Sequence, residues 1–421
     1  MKNLVVFHME SLSNYIYQTE KRHMRALNEM MAKSTSFSHF FSSATSSLMA
    51  VTDFLYGNDF ELDQIDKFER LQPPMGNQTN LFDLLSEHGY EVLGIGYPQV
   101  YKDDLNEFQL WSKESNKFQW VNNYEEFKLQ ISEFLQAPTT KPKALYVWDL
   151  LSHLYYLNGF KLQGTNFHER RSYGYEGIDR TMQHTLGILN ATSLSENTVV
   201  VGFGDHGDEL WTHGLNQGFC HGFEPYSTIT WTPAFIYEPG QKPETNDKLV
   251  SLVDLRSTIL QMLGIQESGS FPYSGINIHE ADNEYVYSRN FFANQIDSDY
   301  DSSEMNKAYS ILNNNFNLIV TKYGMELYEY HLDPTNHCNL LNFFDIDDQG
   351  NIMFNDRGAT HIHFKRSFFS GQIDFIQANF YMLKEKLLER IRIKNNFITA
   401  SPCHSFDETN LMKIREKKYR W

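Results

Sequence analysis

Two short stretches of this chain carry side chains that could hold a metal ion. Asp205 and His206 stand together in Gly204-Asp205-His206-Gly207, directly after the apolar run 198–203. A hard carboxylate oxygen beside an imidazole nitrogen is a donor pair suited to zinc or manganese. Gly207 would ease the turn that presents the pair. Glu10 supplies another carboxylate, just past the apolar run Leu4-Val5-Val6-Phe7; an acid there could equally favour the N-terminus of a helix beginning near Ser11 or Ser13. The third resource is a bank of hydroxyls, with five in Ser42-Ser43-Ala44-Thr45-Ser46-Ser47. Such a run is ordinarily a polar loop or a helix cap. Beside a dication, however, a hydroxyl loses its proton more readily and becomes a nucleophile at neutral pH.

These residues are far apart in sequence, so the fold must bring them together. Residues 4–7, 90–96, 144–148, 198–203 and 232–237 read as buried strands, and 81–85 and 175–189 as helices, the first of them closing at His88-Gly89. Strands alternating with helices predict an α/β fold with a mostly parallel sheet flanked by helices. Side chains that chemistry needs then collect where the strands end, and Glu10, Asp205 and His206 all follow strands. After about Asp282 short strands at 285–288, 316–320 and 326–330 predict a small C-terminal antiparallel subdomain, and 373–393 a long amphipathic helix. The expected division is a catalytic α/β domain over 1–281, an antiparallel subdomain completing the fold over 282–350, and a helical extension with a basic tail over 351–421. Residues 413–421 hold five basic side chains with Ile414, Tyr419 and Trp421. The reading adopted is a solvated, frayed end, with weak docking onto an anionic membrane as the sharper alternative.

Composition narrows the class. Hydrophobic residues are 41% of the 421 and charged residues 21%, with 32 Phe and 24 Tyr, which is a globular and not a disordered composition. A net charge of −17 excludes a general nucleic-acid surface. Cys220, Cys338 and Cys403 are too few and too scattered for a disulfide framework. No run approaches the length of a membrane span, and no basic leader precedes the first strand, so a cytoplasmic protein is expected. A dehydrogenase-like reading fails because no Gly-x-Gly-x-x-Gly turn follows the first strand.

The order of these pieces resembles the alkaline phosphatase and sulfatase superfamily over most of the chain. Asn3-Leu4-Val5-Val6-Phe7-His8-Met9-Glu10-Ser11 is similar to the opening strand, and Glu at this position resembles phosphoethanolamine and phosphoglycerol transferases. The segment 37–57, ending Phe54-Leu55-Tyr56-Gly57, resembles the one presenting the nucleophile. Leu151-Ser152-His153 looks like the His-bearing loop after a central strand, and the helix containing Asp179 like the one before the metal strand. Gly204-Asp205-His206-Gly207-Asp208-Glu209, Cys220-His221-Gly222 and Thr232-Pro233 resemble the metal motif and its sequel. Glu326-Leu327-Tyr328 with Leu332-Asp333-Pro334 resembles the C-terminal turn.

The resemblance implies an alkaline phosphatase-like fold with one divalent metal, zinc or manganese, held by Glu10, Ser47, Asp205 and His206. It implies Ser47 as nucleophile when counted back from Gly57, or Thr45 when aligned with phosphoglycerol transferases. His153 and His221 would contact the transferred group or protonate the leaving group, with His213 a weaker candidate and Asp208 and Glu209 supporting or merely solvated acids. Sulfatases oxidise a Cys or Ser to formylglycine and place a Pro and an Arg after it. Ser47-Leu48-Met49-Ala50-Val51 has neither. The expected substrate is therefore a small-molecule, glycan or lipid phosphoester before a sulfate ester, with phospho-alcohol transfer to a glycan as one form of it. The alternatives are a true sulfuric ester hydrolase and a binding protein that kept the fold and lost the chemistry.

Overall fold

β1, Asn3–Met9, is buried along its whole length, and this places it in the middle of a sheet rather than at an edge. The computed structural model describes residues 1–59, 79–99, 111, 117–153, 164–209, 213, 221–222, 224–266, 275–290, 308–355, 373–397 and 408–415. β1 is joined in sequence by β2 (Thr35–Phe41), β3 (Glu91–Tyr97), β4 (Gln119–Trp120), β5 (Lys143–Asp149), β6 (Thr198–Gly204), β7 (Ala234–Tyr237) and β8 (Glu244–Ser251). They form one eight-stranded sheet in the order β4-β3-β5-β1-β6-β7-β2-β8. All pairings are parallel except those of β7, which runs antiparallel to both neighbours. The expected mostly parallel α/β sheet is present.

Residues alternate between two cores. Leu4 and Val6 of β1, Tyr146 and Trp148 of β5, and Val201 and Phe203 of β6 face one core. Val5, Phe7 and Met9 face the other, with Leu145, Val147 and Val200. The first core is covered by the helix Ser47–Tyr56, through Met49, Ala50, Val51, Phe54 and Leu55. The second is covered by Phe167–Asn190, through Tyr175, Ile178 and Met182. Side chains alternate along a strand, so His8, two residues after Val6, turns toward the Ser47–Tyr56 helix.

The C-terminal part contains the antiparallel sheet β12-β11-β10-β9. Its strands are β9 (Val286–Arg289), β10 (Tyr309–Leu312), β11 (Phe316–Thr321) and β12 (Gly324–Glu329). The long helix Ile373–Phe397 packs on it through Ile376, Phe380, Leu383 and Leu387. The frayed-tail reading needs correction for its first residues. Met325 donates to the Lys413 carbonyl at 2.7 Å and Arg415 donates to the Met325 carbonyl at 3.0 Å, so the chain lies along β12. The Arg415 guanidinium reaches Glu224 and Glu326, both at 2.8 Å. Backbone pairing and buried acids fix what a count of basic residues could not. Residues 416–421, Cys220 and Cys403 lie outside the described residues. Cys338 is half-buried.

Candidate active site

The site lies past the carboxyl ends of β1, β5 and β6. β1 and β6 run parallel with His8 opposite Phe203 and Met9 opposite Gly204, so Glu10 and Asp205 leave the sheet side by side. Ser11 adopts a left-handed φ of 51°, and its N–H donates to Asp205 Oδ1 at 2.9 Å. The His206 N–H donates to the same oxygen at 2.8 Å. Gly207 has a different role from the one expected. Its φ is not left-handed; a Cβ there would fall 2.3 Å from the Thr228 carbonyl oxygen and 2.4 Å from Ser13 Cβ. It is close packing, not turn conformation, that requires a glycine.

Ser47 opens the helix Ser47–Tyr56. Its Oγ is 2.8 Å from Glu10 Oε1 and 2.9 Å from His206 Nε2. Two anchors hold the preceding loop: the Thr45 N–H donates to the Arg289 carbonyl at 3.1 Å, and the Gly222 N–H to the Thr45 carbonyl at 2.8 Å. Thr45 is fully buried. Of the two hydroxyls considered from sequence, Ser47's is the one placed between Glu10 and His206.

Glu10 is fully buried. Its Oε2 accepts from Trp148 Nε1 at 2.8 Å, and its Oε1 lies 3.2 Å from His153 Nδ1. Burial pushes its pKa up, but the His153 hydrogen bond and the surrounding imidazoles of His153, His206 and His8 prevail and hold it well below the usual carboxylate range. His153 sits at the end of the Leu150–His153 turn, where its N–H donates to the Leu150 carbonyl at 3.0 Å. The start of this turn is fixed by Asp149, which accepts from the Leu151 N–H at 3.0 Å. His221 Nδ1 pairs with Asp208 Oδ1 at 2.8 Å. The His221 ring centroid is 4.2 Å from that of His206 and 5.2 Å from that of His153. The three imidazoles thus gather at Ser47.

The other candidates fall elsewhere. His213 pairs with Glu209 at 2.7 Å and the Asn336 carbonyl at 2.8 Å, and stacks on Tyr226. Asp208 and Glu209 are buried and bonded to histidines, not solvated. Asp179 accepts from the Leu27 N–H at 3.0 Å and so serves the start of the helix Arg25–Lys33. One residue near the acids was passed over: His8, whose Nε2 is 2.9 Å from Asp205 Oδ2 and 3.7 Å from Glu10 Oε2. The sequence signal was a histidine two residues before Glu10, on the same strand face.

The donor set fits a divalent ion. Asp205 Oδ2 and His8 Nε2 are buried and make no hydrogen bond. His206 Nε2 is 3.3 Å from Asp205 Oδ2 and 3.9 Å from Glu10 Oε1. Ligands about 2.0–2.2 Å from one ion stand roughly 3–3.5 Å from each other, near the spacings seen here.

The pattern of matches to known proteins agrees. The family model described as Sulfatase matches residues 2–265, well over half of the chain. The chain belongs to the sulfatase family. An endo-4-O-sulfatase of Bacteroides thetaiotaomicron is 30% identical over 93 residues, 22% of this chain and 18% of that protein. The lipoteichoic acid synthase-like YvgJ of Bacillus subtilis is 20% identical over 348 residues, 69% of this chain and 54% of that relative. The chain thus covers about half or less of these curated relatives' length. A solved 2-O GAG sulfatase superposes with a TM-score of 0.66 at 14% identity, covering 100% of this chain and 98% of its own. An alkaline phosphatase superfamily protein from Vibrio parahaemolyticus gives 0.58 at 14% identity, covering 88% and 89%. At such identities the likeness is one of fold. Among the described residues of this sulfatase-family chain, no helix is long and apolar enough to cross a membrane.

Proposed function

We propose that this sulfatase-family chain cleaves or transfers a phosphoester group through a covalent intermediate on Ser47, with transfer of a phospho-alcohol to a glycan or lipid acceptor as its physiological form. The observation that carries the reading is the Ser47 hydroxyl between Glu10 and His206 at a helix N-terminus. A preference for phosphate over sulfate is supported by Ser47-Leu48-Met49-Ala50-Val51, which has no Pro or Arg to direct oxidation of the serine. The name of the YvgJ relative points the same way.

Zinc or manganese among Glu10, Ser47, Asp205 and His206 would supply charge for the substrate's anionic oxygens and depress the serine pKa. The chain's own groups do the rest. The amide dipoles of the helix beginning at Ser47 favour an anion placed before it. The Ser47 hydroxyl is directed at Glu10 Oε1, and its proton leaves to solvent before the attack while Glu10 stays ionised. Ser47 Oγ forms a bond to phosphorus as the bond to the leaving oxygen breaks. His221, whose Nδ1–H donates to Asp208, protonates that oxygen through Nε2. Water or an acceptor alcohol, deprotonated by His221, then attacks phosphorus and frees Ser47. Positioning and charge stabilisation dominate this class of reaction.

Metal content, and hydrolysis of p-nitrophenyl phosphate, a phosphodiester and p-nitrophenyl sulfate, test the proposal in wild type and Ser47→Ala. The expected result is bound zinc or manganese and phosphoester turnover reduced on the order of 10⁴-fold or more in the variant. Full activity in Ser47→Ala would transfer the role to Thr45, and turnover of the sulfate alone would make the chain a sulfuric ester hydrolase. Absence of both metal and turnover would leave a binding protein.

A further inference from the structure

His8 has no task in the chemistry above, yet its ring is completely buried beside both acids. It stacks on Trp148 at 4.3 Å and 13°, with Phe203 at 5.4 Å. Nδ1 is 2.7 Å from the Tyr146 hydroxyl. The Tyr146 oxygen can accept the Nδ1–H. Nε2 is then left with its lone pair. This nitrogen makes no hydrogen bond, and neither does Asp205 Oδ2, although the two are 2.9 Å apart.

A ring nitrogen and a carboxylate oxygen in this relation resemble two ligands converging on a third point. Donors about 2.1 Å from one ion and at right angles stand roughly 3 Å apart. The rival role, in which His8 orients Asp205 by donating to it, requires a hydrogen bond that is not made. We propose that His8 is itself a ligand of the divalent ion, adding a second imidazole to Glu10, Ser47, Asp205 and His206. This rests on the metal-dependent reading given above. Its consequence is selectivity: two imidazoles favour zinc over calcium, which takes oxygen ligands.

The test counts imidazoles on zinc by X-ray absorption in the zinc-loaded full chain. Wild type should show two and His8→Gln one, with zinc affinity lower by on the order of 100-fold. Because outer residues can also cost that much affinity, the count decides. The double variant His153→Gln/His221→Gln should keep two; it removes the other imidazoles near Ser47 and tests the assignment even if His8→Gln fails to fold. One imidazole in wild type, two in His8→Gln, or one in the double variant would overturn the assignment while leaving a metalloenzyme. A wild-type chain that binds no zinc would overturn both readings.

Discussion

Two buried sets of charges flank the Ser47–Tyr56 helix, and they are built on opposite principles. At its far side Asp53 faces Arg289, with Oδ1 accepting from Nη2 at 2.9 Å and Oδ2 from Nη1 at 2.7 Å. Arg289 also donates to the Ser43 carbonyl at 2.9 Å. Burial pushes Asp53 up to about 6 against the pull of Arg289. At its near side Glu10 and Asp205 are just as buried, but imidazoles are their neighbours and no guanidinium or ammonium pairs with either among the described residues. The structural carboxylate Asp53 carries its own permanent cation. A site that must bind one leaves the position for it open, at a cost in stability.

The largest effect expected from this contrast is at the closed pair. Arg289→Ala should destabilise the fold by about 3–5 kcal/mol, since it strands a buried carboxylate. Arg289→Met combined with Asp53→Leu should recover most of that loss in denaturant unfolding. A double variant as unstable as the single one would show that the contacts to the nucleophile loop, not charge pairing, dominate.

Asp149 sharpens the comparison as a buried acid with neither a paired guanidinium nor a place at the ion. Thr181 donates to it at 2.7 Å. Burial pushes it up to about 6 against the bonds from Thr181 and Leu151 and the charge of Arg180. A carboxyl with a folded pKa above its unfolded value binds more protons when folded. Its contribution to stability therefore falls as pH rises from about 4 to about 6. The shift corresponds to about 3 kcal/mol. Asp149→Asn should remove that part of the pH dependence; an unchanged stability profile over this range would disprove the assignment.

The smallest of the three effects concerns the open set. Stripping the ion with a chelator should destabilise the wild type by about 2.7 kcal/mol relative to protein in metal at 100 times its Kd. Glu10→Gln should shrink this difference, whereas Asp53→Asn should leave it unchanged. Equal metal-induced thermal shifts in wild type and Glu10→Gln would dissolve the distinction between the two sets.

Much of this architecture was readable before any tertiary contact. β1, β5 and β6 carry continuous apolar runs because both faces of a central parallel strand are buried. The Gly204-Asp205-His206-Gly207 turn stood out because unlike donors sit together at the end of such a run. β2 was not recognised, since Thr35-Ser36-Phe37-Ser38-His39 mixes polar residues into a strand lying next to the sheet's edge. β8, Glu244–Ser251, begins with five residues that are exposed or half-buried and looks like a loop for that reason. The helix Phe167–Asn190 starts eight residues earlier than its apolar spacing indicates, where the Asn166 side chain accepts from the Glu169 N–H.

By itself the sequence determined the α/β order, the acid, imidazole and hydroxyl types, and the family they belong to, because runs and motifs are local properties. The family resemblance narrowed a bank of five hydroxyls to Ser47 or Thr45; tertiary structure laid the Ser47 hydroxyl against Glu10 and His206, because that depends on where one helix begins over the sheet. It also decided the place of His8, which reads in sequence as one more polar residue closing a strand. Strand alternation and the parallel pairing of β1 with β6 bring it to Asp205, nearly two hundred residues away.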